Sequence, residues 1–284
     1  MTTGHTSLAW SVGKPKKMAD KFTKPQFLGR SQKVLEFQLK VLYPVRGLCD
    51  ATRTGLVFLN HDRNFSTFLT IHYLVEHERV ADIYALCRSM FESVVSMGLL
   101  AKSVIHDDLD RYQGYQYVEA SKTHDHLERL GLARLSGLTE SEVTRVRRER
   151  DKYVAKYVAK YGSGLPTWTG KSLEQNVRLL DSNCPSTCNE EHFYEYLYCQ
   201  VYRRGSPAAH ASFSGLSKAV DVETVNIPGS SAAYRYRANE PHLIFSCFHS
   251  LLVFLSSVRF MGWVLEKPEA EAFFQQIAGY VIAE

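Results

Sequence analysis

From Leu243 to Leu265 the chain runs through Phe245, Phe248, Leu251, Leu252, Val253, Phe254, Leu255 and Phe260 without a proline or a turn cluster. A helix this apolar has no polar face to offer water, so the rest of the fold must enclose it. The stretch is long enough to span a bilayer, yet His249, Arg259 and five Ser or Gly positions interrupt it. The expectation is a buried central helix in a protein that does not use a membrane. The 284 residues include only 17 Gly and 9 Pro, too few strong turn-formers for an all-β sandwich or barrel. Aromatic residues at 12% supply a sizeable core and exclude collagen-like, low-complexity and wholly disordered chains.

Hydrophobic periodicity divides the chain into long segments. One covers about 32–59, with Leu35, Leu39, Leu42, Cys49 and Leu56 near heptad spacing and Pro44 placed to kink or split it. A second, about 66–103, carries Ile83, Cys87, Met90, Val94 and Ala101 on one face and Val95 and Leu99 on another, so it too belongs in the centre. Segments follow at about 107–132, opened by acids, and at about 139–162, opened by the capping sequence Thr139-Glu140-Ser141-Glu142. Shorter helices are expected at 171–180, at 190–203 and from Ser206-Pro207, with a last one from Pro268. The 221–239 loop has room for a hairpin around Ile227-Pro228-Gly229. The expected fold is all-α, one helical domain over 35–284 behind an arm over 1–34.

Charge is uneven. Residues 1–34 hold Lys14, Lys16, Lys17, Lys21, Lys24, Arg30 and Lys33 against Asp20, while the whole chain is only +4. With Gly4, Gly13, Pro15 and Pro25 and no long apolar run, this reads as a flexible basic arm able to touch phosphates, or as a solubilising tail. A second basic feature is the repeat KYVAKYVAKYG, which puts Lys152, Lys156 and Lys160 on one helical stripe and Tyr153, Tyr157 and Tyr161 on the next. Interleaved cations and aromatics suit single-stranded nucleic acid, and they also suit an ordinary solvated helix face.

The stretch Tyr202-Arg203-Arg204-Gly205-Ser206-Pro207-Ala208-Ala209-His210 gathers the most chemistry. Ser206-Pro207 is an N-cap and first-position pair, which predicts a helix starting there with His210 in its first turn. Two arginines ending the preceding helix, exposed N–H donors and an imidazole would together accept an anion, and a phosphodiester fits. Arg203 is seven positions before His210 and so shares its helical face if the break is mild. In the bland alternative the arginines cap helix carbonyls and His210 is a satisfied histidine. Arg88 and Glu92 form an i, i+4 pair on a helix with apolar flanks.

The order Leu86-x-Arg88-x(3)-Glu92, then Pro166-x-Trp168, then Tyr202-Arg203-x(2)-Ser206-x(3)-His210 resembles a group of bacterial HEPN-like proteins. The spacing of Arg203 or Arg204 to His210 is similar to the R-x(4–6)-H signature of that superfamily. Arg203 is followed by Arg204, and Arg204 by Gly205, where catalytic members often carry Asn, Asp or His, so the choice of arginine stays open. The resemblance covers about 66–265 and implies a HEPN-like helical bundle with additional helices. It further implies a metal-independent endoribonuclease, a hydrolase-class RNA-binding protein in a toxin or antiviral defence role. His210 would move the proton, Arg203 or Arg204 would stabilise charge on the phosphate, and Arg88, Glu92, Tyr202 and Ser206 would support them. The implied partners are RNA, a second copy in a homodimer or higher homo-oligomer, and an antitoxin or defence-complex protein. The alternative is a non-catalytic helical module that binds nucleic acid or a protein partner.

Six cysteines, several at core-facing positions, fit free thiols in a reducing compartment, and with no leader-like N-terminus the expected location is cytoplasmic. Cys184-x(3)-Cys188-x(3)-His192 contains metal-ligating residue types, but zinc knuckles use other spacings and a second ligand pair, so no metal is expected. His72 and His77 are out of register for a zinc protease. No phosphate-binding P-loop, dinucleotide glycine fingerprint, nucleophile elbow or kinase motif occurs, so no cofactor is expected.

Overall fold

Helix α1, Lys24–Phe37, begins where the local chemistry dictates: Thr23 and Gln26 form a reciprocal capping box, and Pro25 occupies the first turn. The computed structural model describes residues 22–43, 52–161, 167–185, 187, 190–210, 220–225 and 233–283. The arm expected over 1–34 is thus corrected at its C-terminal end. Phe22, Phe27 and Val34 are buried, and only the part before Phe22, with Lys14, Lys16 and Lys17, lies outside the described residues.

A π-helical turn, Gln38–Leu42, follows α1, ahead of Pro44. It rotates the register, so that Gln38 is fully buried while Leu39, expected on the apolar stripe, is exposed. Helix α2 is Arg53–Glu76 and α3 is Val80–Ala101. The single segment expected over 66–103 is therefore two helices. Glu78 takes a left-handed conformation (φ 57°) at the turn, with neither Gly nor Pro to mark it. Helix α4, Asp108–Arg129, and α5, Glu140–Tyr161, pair as an antiparallel hairpin. Helix α6 is Leu173–Asp181, capped by Ser172 and Gln175, and α7 is Phe193–Leu197. A second π segment, Tyr198–Arg203, leads into α8, Arg204–Ala209. Strands β1, Val220–Val225, and β2, Ala233–Ala238, pair antiparallel as a hairpin with Asp221 opposite Arg237. Helix α9, Glu240–Val264, and α10, Pro268–Ala283, complete the all-α fold.

Helix α9 is the axis. It packs on α2, α3 and α10, and every residue from Ser246 to Gly262 is buried. Phe254 stacks on Phe68 of α2 with ring centroids 4.3 Å apart. Its polar interruptions are satisfied inside the protein. Ser246, Ser250 and Ser256 donate to carbonyls of their own helix. Arg259, fully buried, makes a two-pronged contact with Glu271 of α10 at 2.7 and 2.8 Å. Helices α3 and α9 are both long and apolar enough to cross a membrane, and 89% of the most apolar window of α9 is buried within the protein.

Candidate active site

The site lies where α3 meets the π segment and α8. Close approach is possible because Gly205 faces α3: a Cβ there would sit 3.1 Å from the Tyr84 carbonyl oxygen and 3.4 Å from Arg88 Cβ. Arg88, on α3, then reaches across. Its Nη1 donates to Ser206 Oγ at 3.2 Å and lies 3.4 Å from His210 Nε2. Its Nη2 donates to the Tyr202 hydroxyl at 3.2 Å, and the guanidinium carbon is 4.4 Å from the centre of the Tyr202 ring. Glu92, one turn along α3, pairs with Arg88 Nε at 3.4 Å and is half exposed, so this is a surface-edge pair, not a buried one. Since a guanidinium has no lone pair to offer, His210 Nε2 can only accept in its contact with Arg88.

The expected helix start at Ser206-Pro207 is corrected. Alpha-helical geometry already begins at Arg204, Pro207 sits inside the helix, and His210 follows its last turn, with its N–H donating to Ser206 O at 3.0 Å. The π geometry of 198–203 precedes a proline that cannot donate and whose ring would crowd the carbonyl of Arg203. The helix is widened ahead of Pro207 rather than broken. The positive helix N-terminus expected beside His210 is therefore not there, and Arg88 supplies the positive charge instead.

Continuity through 198–209 also separates the two motif arginines. Arg203 points to Glu174 of α6, 3.6 Å away, and lies over the Tyr198 ring at 5.4 Å. Arg204 turns to α9, with its guanidinium carbon 4.6 Å from the centre of the Phe245 ring. Around Arg204 stand two tyrosine–histidine pairs that sequence reasoning missed. Tyr84 and His242 Nδ1 are 3.0 Å apart, and Tyr196 donates to His249 Nε2 at 2.9 Å while His249 Nδ1–H donates to the Phe245 carbonyl at 2.7 Å. Burial lowers the His249 pKa to about 3, and raises that of Tyr196 to about 12. Tyr84 shares the α3 face of Arg88, one turn before it, which was the available signal.

The stripe on α5 is corrected as well. Tyr153 and Tyr157 are buried against Val118 of α4, so they cannot stack on bases. They face inward because α5 needs an apolar edge to pair with α4. Lys152 pairs with Glu149, and Lys156 contacts both Asp110 and the Tyr157 ring. The side chain of Lys160 lies outside the described residues, as do Pro166 and Cys188. Trp168 is a structural anchor. Its indole donates to Ser96 Oγ at 3.3 Å, and its carbonyl accepts from buried Arg111 of α4 at 3.1 Å.

A family model described as a family of unknown function, DUF5677, matches residues 55–226, from the first turn of α2 to the end of β1. No curated protein and no solved structure matches the chain.

Proposed function

The chain belongs to the DUF5677 family of unknown function, and on the chemistry of the α3–α8 site we propose that it is a metal-independent, HEPN-like endoribonuclease. The observation that carries this reading is the contact of Arg88 with His210, Ser206 and Tyr202, which holds a guanidinium and an exposed imidazole within 3.4 Å of each other. A phosphodiester that displaces this direct contact meets a cation for its non-bridging oxygens and frees His210 Nε2 as a base for the neighbouring hydroxyl.

In the proposed step the RNA 2′-oxygen attacks the adjacent phosphorus and passes its proton to His210. The P–O5′ bond breaks, and O5′ takes a proton from water. The products are a 2′,3′-cyclic phosphate and a 5′-hydroxyl end. Arg88 takes over the charge-stabilising part first assigned to Arg203 or Arg204, because it is the arginine that reaches His210. DNA survives for want of the nucleophile. The proposed active form is a cytoplasmic homodimer in a toxin or antiphage role, held in check by an antitoxin or defence-complex partner.

Purified protein incubated with mixed RNA in EDTA should release cyclic-phosphate ends. His210→Ala should lower the rate by roughly 10² to 10⁴ with the fold intact. Arg88→Ala should lower it similarly, and Arg203→Ala should not. Cleavage by His210→Ala at the wild-type rate would overturn the mechanism. A wild type that binds RNA without cutting it would make the non-catalytic module the better reading.

A further inference from the structure

Arg204 is an exposed guanidinium with no hydrogen bond or ion pair among the described residues, only the Phe245 ring beneath it at 4.6 Å. The other arginines of this region are engaged: Arg88 with Glu92, Arg203 with Glu174, and Arg178 with Glu174 and Glu195. The platform under Arg204 is built. Phe245 packs on the His249 ring with centroids 4.0 Å apart, and His249 is held from both sides by the Phe245 carbonyl and Tyr196. With its face on an aromatic ring, a guanidinium keeps its in-plane N–H fork for a ligand, the geometry that suits a phosphate. The Arg204 charge is felt through this group, opposing the burial that raises Tyr84 and Tyr196 and adding to the burial that lowers His249.

Placement gives the ligand its class. Gly205 follows Arg204 and packs against both the Tyr84 carbonyl and Arg88 Cβ, and Ser206, on its other side, accepts from Arg88. The Arg204 group, whose charge reaches Tyr84, and the Arg88–His210 group therefore lie on either side of Gly205 against the same stretch of α3. We infer that Arg204, seated on Phe245, is a phosphate subsite that holds the single-stranded RNA backbone next to the phosphate facing His210. The ligand class rests on the ribonuclease reading. The subsite binds whether or not the bond is cut.

The test uses a fluorescent 2′-O-methyl RNA oligonucleotide, which keeps the phosphates but has no nucleophile, with binding followed by anisotropy across a salt series. The full-length protein should bind it with a log–log salt slope that Arg204→Gln makes shallower by about 0.7, the value of one phosphate contact on a single strand. Arg204→Lys should keep the slope, and Arg148→Gln on α5 should behave as wild type. Matching thermal melts are expected, since Arg204 makes no hydrogen bond to any of the described residues. Wild-type affinity and slope in Arg204→Gln would overturn the inference, and so would absence of binding by the wild type. If Arg204→Gln loses the contact while the wild type leaves ordinary RNA uncut, the subsite stands and the ribonuclease reading falls.

Discussion

His61 and His249 show how single residues couple this fold to pH. His61 is buried on α2, with Nδ1 2.8 Å from Ser257 Oγ of α9, and burial lowers its pKa to about 4. His249 is lowered to about 3 by the same cause. Unfolded imidazoles titrate near 6.5, so below that pH the unfolded chain binds protons that the folded one refuses. The contribution is present in full above pH 6.5 and is lost as pH falls toward 4. Between pH 7 and pH 5 each group should remove about 2 kcal/mol of stability. Urea unfolding at the two pH values measures it, and His61→Gln should flatten the dependence by about one histidine's share. An equally steep dependence in His61→Gln and His249→Gln would show that neither imidazole carries it. At the candidate site Tyr202, Ser206 and His210 were legible as a set spaced four apart, and Arg88, on another helix, only through the resemblance. That Arg88 reaches His210, and neither Arg203 nor Arg204 does so, was not legible, since it depends on the packing of α3 against α8 and on a register that a π segment shifts.

At the scale of elements, the close contact of α3 and α8 turns on Gly205. Gly205→Ala should raise helix propensity yet push the Tyr84 backbone away, and overpacking of this kind costs about 1–3 kcal/mol. The same displacement separates Arg88 from His210, so RNA cleavage should fall at least as steeply as stability does. An alanine variant with a higher melting temperature and full activity would show that the contact relaxes freely. The first helix gives a second test. Removing residues 1–20 keeps the Thr23–Gln26 capping box and the buried Phe22, so the melting temperature should hold while nucleic-acid affinity and its salt dependence decrease. Removing residues 1–34 also deletes Phe27 and Ser31 and ends at buried Val34, and it should destabilise the fold outright. Unchanged binding by the shorter truncation would remove the basic arm from the interaction. Helix ends were the least legible elements. Glu78, Ser103 and Glu266 turn the chain with positive φ, and none is a Gly, Asn or Asp that would announce such a turn.

Across the whole molecule, packing is concentrated on α9 and thins toward the α4–α5 hairpin. Phe254 stacks on Phe68 in the centre, so Phe254→Ala should cost about 3–5 kcal/mol in global unfolding. Tyr157 belongs to a separate small cluster with Val118 and Tyr153, so Tyr157→Ala should loosen α4 and α5 locally. Hydrogen exchange separates the cases: faster exchange throughout for Phe254→Ala, and confined to the hairpin for Tyr157→Ala. Uniform acceleration in both would mean that the hairpin unfolds only with the bundle. The central helix, the all-α class and most helix starts were determined by the sequence alone, because burial of an apolar run and N-terminal capping act over a few neighbouring residues. Which face of α5 turned inward, how α8 met α3 and which arginine reached His210 were decided only by tertiary structure. Those outcomes depend on helix register and on contacts between residues more than a hundred positions apart, such as Arg88 and His210, and no local pattern encodes them.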